Sequence, residues 1–270
     1  MATYVIGDIQ GCFYSFKNLL EKINFNSNAD ELWLVGDIIN RGLGSLQTLD
    51  WCYQNRDNLN IVLGNHDLYF LSAAFNQRKL SSTDTLQPIL ASENLNKYVD
   101  WMLSWSLIHK HKGFLMVHAG LMPDWSTEDA LDLAKDLMVS LRENPYDFFK
   151  SMYGDKPDKW SLEYNREDKQ RVAINAMTRL RCINKDNAID FTYKSDLNNL
   201  PSTLNPWFDV KTKKIRSEFI ISGHWSAIGI QKHNHGITLD TGCVWGGKLS
   251  AYCIESKSIK SVSSDSRDLS

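Results

Sequence analysis

Five residues able to ligate a metal stand just beyond short apolar runs of this 270-residue chain. Asp8 follows Tyr4-Val5-Ile6-Gly7, Asp37 follows Leu32-Trp33-Leu34-Val35-Gly36, and Asn65 follows Ile61-Val62-Leu63-Gly64. His118 follows Phe114-Leu115-Met116-Val117, and His224 follows Phe219-Ile220-Ile221 and Gly223. Carboxylate, amide and imidazole donors with one shared carboxylate are what two neighbouring hard or borderline divalent ions require. Taken singly, an Asp or Asn after a glycine reads as an Asx turn. Five successive strand ends that all present metal-competent side chains point instead to a metal centre.

Two further positions add phosphoryl chemistry. His66 follows Asn65 and precedes Asp67, a carboxylate expected to orient the imidazole and raise its pKa, so that His66 donates a proton to a leaving oxygen. Arg41 lies four residues beyond Asp37 in a glycine loop and suits a bidentate grip on phosphate. The predicted reaction is in-line displacement at phosphorus by a metal-activated hydroxide, with no protein nucleophile.

The elements that position these residues follow from spacing. Asp8 to Asp37 is 29 positions and Asp37 to Asn65 is 28, close to the ~30 residues of a βαβ unit, so parallel strands would bring all three to one sheet edge. Between them, Phe13, Phe16, Leu19, Leu20 and Ile23 share one helical face, and Leu46, Leu49, Cys52 and Tyr53 share another. Segments within about 67–110 and 125–185 read as a helical cap or insert. The polar stretch 186–217, with Lys211, Lys213, Lys214 and Arg216, reads as a solvated loop. Strand-like runs at 219–221, 237–239 and 249–254 are expected to complete a second, more antiparallel sheet. Residues 1–255 read as one domain, and 256–270, with seven serines, as a flexible tail. His109, His111, His233 and His235 fall in polar segments and read as structural.

Composition narrows the class. At 43% hydrophobic and 23% charged residues, with 15 glycines and 6 prolines, collagen-like, disordered and coiled-coil chains are excluded. Thirty basic residues against 32 acidic ones give no global field for nucleic acid or membrane, so a polyanion must be met by a local site. Five cysteines without a C-x-x-C pair argue against a disulfide framework or structural zinc, and for reduced thiols in the cytoplasm. No basic leader and no apolar run of ~18 residues point to secretion or membrane spanning. No obligate protein partner is expected.

The combination Gly7-Asp8-x-x-Gly11, Gly36-Asp37-x-x-x-Arg41-Gly42, Gly64-Asn65-His66-Asp67, His118 and Gly223-His224 resembles the calcineurin-like metallophosphoesterases. Val117-His118-Ala119-Gly120, Met152-Tyr153-Gly154-Asp155, Asn175-Ala176-x-Thr178-Arg179-x-Arg181 and Leu239-Asp240-Thr241-Gly242-Cys243-x-Trp245-Gly246-Gly247 extend the resemblance to the bacterial symmetrical bis(5′-nucleosyl)-tetraphosphatase family. It implies an α/β sandwich of two mixed sheets flanked by helices. It further implies two divalent ions, Mn²⁺ or Co²⁺, with Asp8 and Asp37 on one and Asp37, Asn65, His118 and His224 on the other. His66 with Asp67 would be the acid pair. Position 10, commonly a metal-binding His in the family, is Gln10 here, a weaker amide ligand for the first site, and Asn40 stands where an Asp often precedes the Arg. The implied reaction cuts diadenosine tetraphosphate into two ADP. Arg41, Asn65, Arg179 and Arg181 are candidates for the phosphate chain, and Tyr153 and Trp160 for a base. RNA with a nucleoside-tetraphosphate 5′ cap presents the same chain. A serine/threonine protein phosphatase and a non-catalytic nucleotide-binding module are the competing readings.

Overall fold

The computed structural model describes residues 2–212, 214 and 216–269. Strands β1 (Thr3–Ile6), β2 (Glu31–Leu34) and β3 (Leu59–Ile61) run parallel, joined by helices α1 (Phe13–Ile23) and α2 (Ser45–Gln54). Helices α3 (Asn65–Ala74), α4 (Gln87–Leu90) and α5 (Leu95–Met102) follow, then the hairpin β4 (Ile108–His111) and β5 (Phe114–Val117). Helices α6 (Thr127–Glu143), α7 (Pro145–Ser151) and α8 (Arg166–Arg179) come next. A small antiparallel sheet follows, of β6 (Cys182–Asn184), β7 (Ile189–Asp190) and β8 (Leu204–Pro206). The chain ends with β9 (Phe219–Ser222), β10 (Gln231–His233), β11 (Gly236–Thr238), β12 (Lys248–Cys253) and β13 (Ile259–Ser263).

Two five-stranded sheets, ordered β13-β12-β1-β2-β3 and β10-β11-β9-β5-β4, pack face to face. Alternation along each strand divides the core. Val5, Trp33 and Tyr252 of the first sheet meet Met116, Ile221 and Ile237 of the second, while Ile6, Leu32 and Leu34 turn to the larger core formed with the helices. Burying both faces explains why these strands read as unbroken apolar runs.

Three expectations are corrected. The run 249–254 does not join the second sheet: β12 pairs antiparallel with β1, Val5 opposite Tyr252. The second sheet is mixed, β5, β9 and β11 being parallel and only its outer strands antiparallel. The serine-rich end is not a flexible tail. Its β13 pairs with β12 along five residues, from Lys248 opposite Ser263 to Tyr252 opposite Ile259. Buried Asp268 then accepts from Ser15 N at 2.8 Å, Ser15 Oγ at 2.7 Å and Tyr14 N at 2.9 Å. It caps α1, whose own preceding residue, Cys12, offers no side-chain cap. Pairing through the backbone orders a polar strand that composition alone cannot.

In the basic cluster, Lys214 pairs with Asp129 at 2.7 Å. Arg216 is not solvated: its Nε donates to Trp125 O at 2.9 Å. Lys213 lies outside the described residues, as do Met1 and Ser270. All five cysteines are buried free thiols. Among the described residues no helix is long and apolar enough to cross a membrane.

Candidate active site

The ends of β1, β2, β3, β5 and β9 converge on one buried cluster. Asp37 is central: its Oδ2 lies 3.4 Å from Gln10 Nε2, 3.6 Å from His118 Nε2 and 4.0 Å from His66 Nε2. Ligand atoms of Asp37, His118 and His224 all lie within 4.8 Å of one another. Asp8 accepts from His224 N through both carboxylate oxygens at 3.1 Å. Two glycines make this approach possible: a Cβ on Gly223 would sit 1.9 Å from Asp8 Oδ1, and one on Gly64 2.1 Å from Asp37 Oδ1. Gln10, Asp37, Asn40, Arg41 and His224 all have φ between 46° and 83°. Left-handed backbone at non-glycine residues costs on the order of 1–3 kcal/mol each and persists where the surroundings over-determine it.

The donors fit divalent cations. His118 Nδ1 donates to Val35 O at 2.8 Å, so Nε2 carries the lone pair. The Asn65 amide turns its NH₂ to that nitrogen at 3.2 Å, to His224 Nδ1 at 2.9 Å and to Thr178 O at 3.1 Å. His224 Nε2 is buried without a hydrogen-bond partner. Burial lowers the pKa of both His118 and His224, keeping them in the neutral, ligating form. Burial, with Asp240 and Asp37 nearby, holds Asp8 well above the usual carboxylate range. Burial likewise lifts Asp240 to about 7, against the Gly242 N–H that bonds its carboxylate, with Asp37 adding to the rise. Carboxylates crowded in this way are relieved by positive charge. Gln10 Nε2 donates to Asp37 Oδ2.

At its Asn65 end the cluster opens into a cavity of about 540 Å³ between α3 and α8, with Arg41, His66, Arg78, Tyr153 and Arg179 in its wall. The Arg78 guanidinium lies 3.9 Å over the Tyr153 ring. Arg179 is held by Asn175 at 2.8 Å and Asp155 at 2.9 Å, and Arg41 by Thr83 Oγ1 at 2.7 Å.

His66 is positioned by a residue other than the one expected. Asn40 Oδ1 accepts from Arg41 N at 2.8 Å and Thr85 N at 3.2 Å, which fixes the amide. Its Nδ2 therefore donates to His66 Nδ1 and to Asp84 Oδ1, both at 3.0 Å. His66 Nδ1 accepts, and Nε2 carries the proton. The expected His66–Asp67 pair is not formed. Asp67 is fully buried and accepts from the N–H groups of Asp37 (2.8 Å), Ile38 (3.0 Å) and Gly64 (2.9 Å). Neighbours on a helix point about 100° apart, so the two side chains diverge.

Trp160 does not reach the cavity and packs edge-on against Trp125, with 5.3 Å between ring centroids. Arg181 lies at the other end of the cluster, its Nη2 3.4 Å from His224 O, facing Asp240, Asp37 and Asp8. His233 and His235 occupy the β10–β11 hairpin, and His233 stacks on Phe208 at 4.6 Å. Sequence reasoning missed Arg78, Asp84 and Asp240 as site residues. Only Asp240, another carboxylate just past a strand, carried a usable signal.

The calcineurin-like phosphoesterase family pattern matches residues 1–225. The chain belongs to that family. The phosphoesterase is 44% identical to the symmetrical bis(5′-nucleosyl)-tetraphosphatase of Methylobacillus flagellatus, over 97% of this chain and 95% of the relative. It is 41% identical to that of Nitrosomonas europaea, over 97% and 98%. A crystal structure provisionally named a diadenosine tetraphosphatase superposes with a TM-score of 0.65 at 21% identity, covering 98% of this chain and 94% of its own. A serine/threonine phosphatase of Saccharomyces cerevisiae gives 0.54 at 13% identity, over 98% and 80%. These two show the shared fold. Family membership implies divalent metal ions, and the donor set accommodates them.

Proposed function

We propose that this phosphoesterase hydrolyses diadenosine tetraphosphate and related dinucleoside polyphosphates symmetrically, giving two ADP from the former. The observation that carries the reading is a buried metal-donor cluster opening directly onto a cavity lined by Arg41, Arg78 and Arg179. Its volume of about 540 Å³ lies in the range of small-ligand pockets. The names of relatives 39–44% identical over nearly their whole length support the substrate.

Asp8, Gln10 and Asp37 would hold one ion and Asp37, Asn65, His118 and His224 the other, with Mn²⁺ or Co²⁺ the expected metals. When bound, such ions acidify a water and neutralise phosphate oxygens. The side chains do the rest. Arg41, Arg78 and Arg179 hold one arm of the polyphosphate, and Tyr153 supplies an aromatic face for its base. Arg181 offers a cation at the far end of the cluster. His66 presents Nε2–H to the departing phosphate oxygen, held in that tautomer by Asn40. Nucleoside-tetraphosphate-capped RNA ends offer the same chain, and the near-zero net charge leaves little affinity for the rest of such an RNA. The free thiols fit a cytoplasmic protein.

The test is chromatography of products from diadenosine tetraphosphate with Mn²⁺ or Co²⁺, comparing wild type with His66→Ala. ADP alone, with turnover reduced at least ~100-fold in the variant, is expected for a lost general acid. ATP plus AMP would reject symmetric cleavage. Phosphopeptide hydrolysis without nucleotide turnover would make the protein a phosphoprotein phosphatase.

A further inference from the structure

A symmetric dinucleotide cut at its centre extends equally to both sides of the metal cluster, and the cavity described above lies at its Asn65 end. Its wall is built by Asn65, His66, α3, α8 and the loops beside them, and includes no residue beyond Arg179. The second nucleoside must leave across the Asp8–Asp240 end. Two turns wall that end, one following His224 and one following Asp240.

The second turn carries the only tryptophan of the nine that is exposed. Trp245 is 67% accessible, whereas Trp33, Trp105, Trp125, Trp207 and Trp225 are at most 5% accessible and the remaining three are half-buried. A single exposed hydrophobic side chain needs no explanation in general. The turn that carries this one is closed by backbone hydrogen bonds and fastened to Asp240. Asp240 Oδ1 accepts from Gly242 N at 3.0 Å, Trp245 N donates to Gly242 O at 2.9 Å, and Gly246 N and Gly247 N close the turn on Cys243 O and Gly242 O at 3.1 and 2.9 Å. Gly242 and Gly246 take φ of 67° and 83°. Around Gly242, a Cβ would meet Ser226 Cβ at 3.7 Å and Trp245 Cδ1 at 3.8 Å, and Ser226 is two residues past His224. The turn that carries the indole is thus tied to Asp240 and packs against the segment that follows His224.

We propose that Trp245 is the stacking platform for the second nucleobase of the substrate, with Arg181 beneath the intervening phosphates. The inference rests on the dinucleotide reading above. A flat, sequence-tolerant aromatic surface accepts any base, so this subsite would be less selective than the enclosed one by Tyr153.

The test compares wild type, Trp245→Ala and Trp245→Phe on diadenosine tetraphosphate and on adenosine 5′-tetraphosphate, which has one base. Trp245→Ala is expected to raise KM for the dinucleotide about tenfold, within the range for loss of one stacked base, with kcat within about twofold. Trp245→Phe should restore most of that loss, and KM for the one-base substrate should stay unchanged. In 5-fluorotryptophan-labelled protein, the ¹⁹F resonance missing from Trp245→Phe should shift with a methylene-bridged dinucleotide and Mg²⁺, and stay in place with ADP at cavity-saturating concentration. An unchanged dinucleotide KM in Trp245→Ala, or an equal rise for both substrates, would overturn the subsite while ADP formation by wild type upholds the parent reading. No ADP from wild type would overturn both.

Discussion

Asn40 and Asp67 exchange the roles that their chemistry suggests, and each exchange is testable. Both acceptor positions of the Asn40 amide oxygen are taken by backbone N–H groups, so its NH₂ must face His66. Asn40→Ala frees the imidazole to turn and exchange tautomers. The expected result in steady-state kinetics is a fall of about tenfold in kcat with KM nearly unchanged, the signature of a misdirected proton donor rather than a lost binding contact. An unaltered kcat would remove Asn40 from the mechanism. Asp67, in turn, ties the β2 loop to the start of α3 through three backbone N–H groups. Asp67→Ala leaves those donors buried and unpaired, at a cost on the order of 3 kcal/mol or more. Urea unfolding should show the loss, and a fully stable but inactive variant would restore Asp67 to the acid pair. Burial first, then the charge of Asp37, lifts Asp67 to about 8 against its three N–H partners. Adjacency in sequence suggested the wrong partner for His66 because helical neighbours diverge. The true partner depends on a contact between Asn40 and Asp84, 44 residues apart, and no local pattern announces it.

The parallel β1–β3 unit was legible because its signals are local: apolar runs, glycine turns and a repeat close to 30 residues. The ending was not, since β13 is polar and gains its order by pairing with β12. Docking of α6 on the second sheet was equally hidden, resting on Glu218 just before β9. Lys110 of β4 lies 2.8 Å from Glu218 Oε1, and Thr127, the first residue of α6, donates to Oε2. Burial alone would raise the Glu218 pKa, but Lys110 and Thr127 outweigh it and hold it at about 2, below the ordinary 4.5. A carboxyl depressed in the folded state stabilises fully above its unfolded pKa, and that contribution disappears as pH falls through the folded value. Stability should therefore decline between pH 4.5 and about 2, this group contributing at most about 3 kcal/mol before solvent screening of the ion pair reduces it. Glu218→Gln should lower stability at pH 7 and remove that part of the acid dependence in denaturant titrations. Identical slopes for variant and wild type would refute the linkage.

Two sheets, three helical segments and the β12–β13 return all deliver strand ends to one place, and what they assemble there is unfavourable by itself. Asp8, Asp37 and Asp240 are buried together, with five left-handed backbone positions among the residues around them. The fold holds this arrangement because packing elsewhere fixes every strand, and cations favour the folded state by occupying it. A ligand that binds only the native state adds RT ln(1 + [L]/Kd), about 1.4 kcal/mol per decade of concentration above Kd. For a chain of this size each decade of Mn²⁺ or Co²⁺ should raise Tm by roughly 2–3 °C per bound ion, and EDTA should return it to a common baseline. Asp37→Asn weakens both sites at once, since Asp37 is the donor they would share. Its Tm should stay nearly flat across the same metal range while its EDTA baseline equals or exceeds that of wild type, because one crowded charge is gone. A metal-dependent rise as steep in Asp37→Asn as in wild type would place the stabilising ions elsewhere on the molecule.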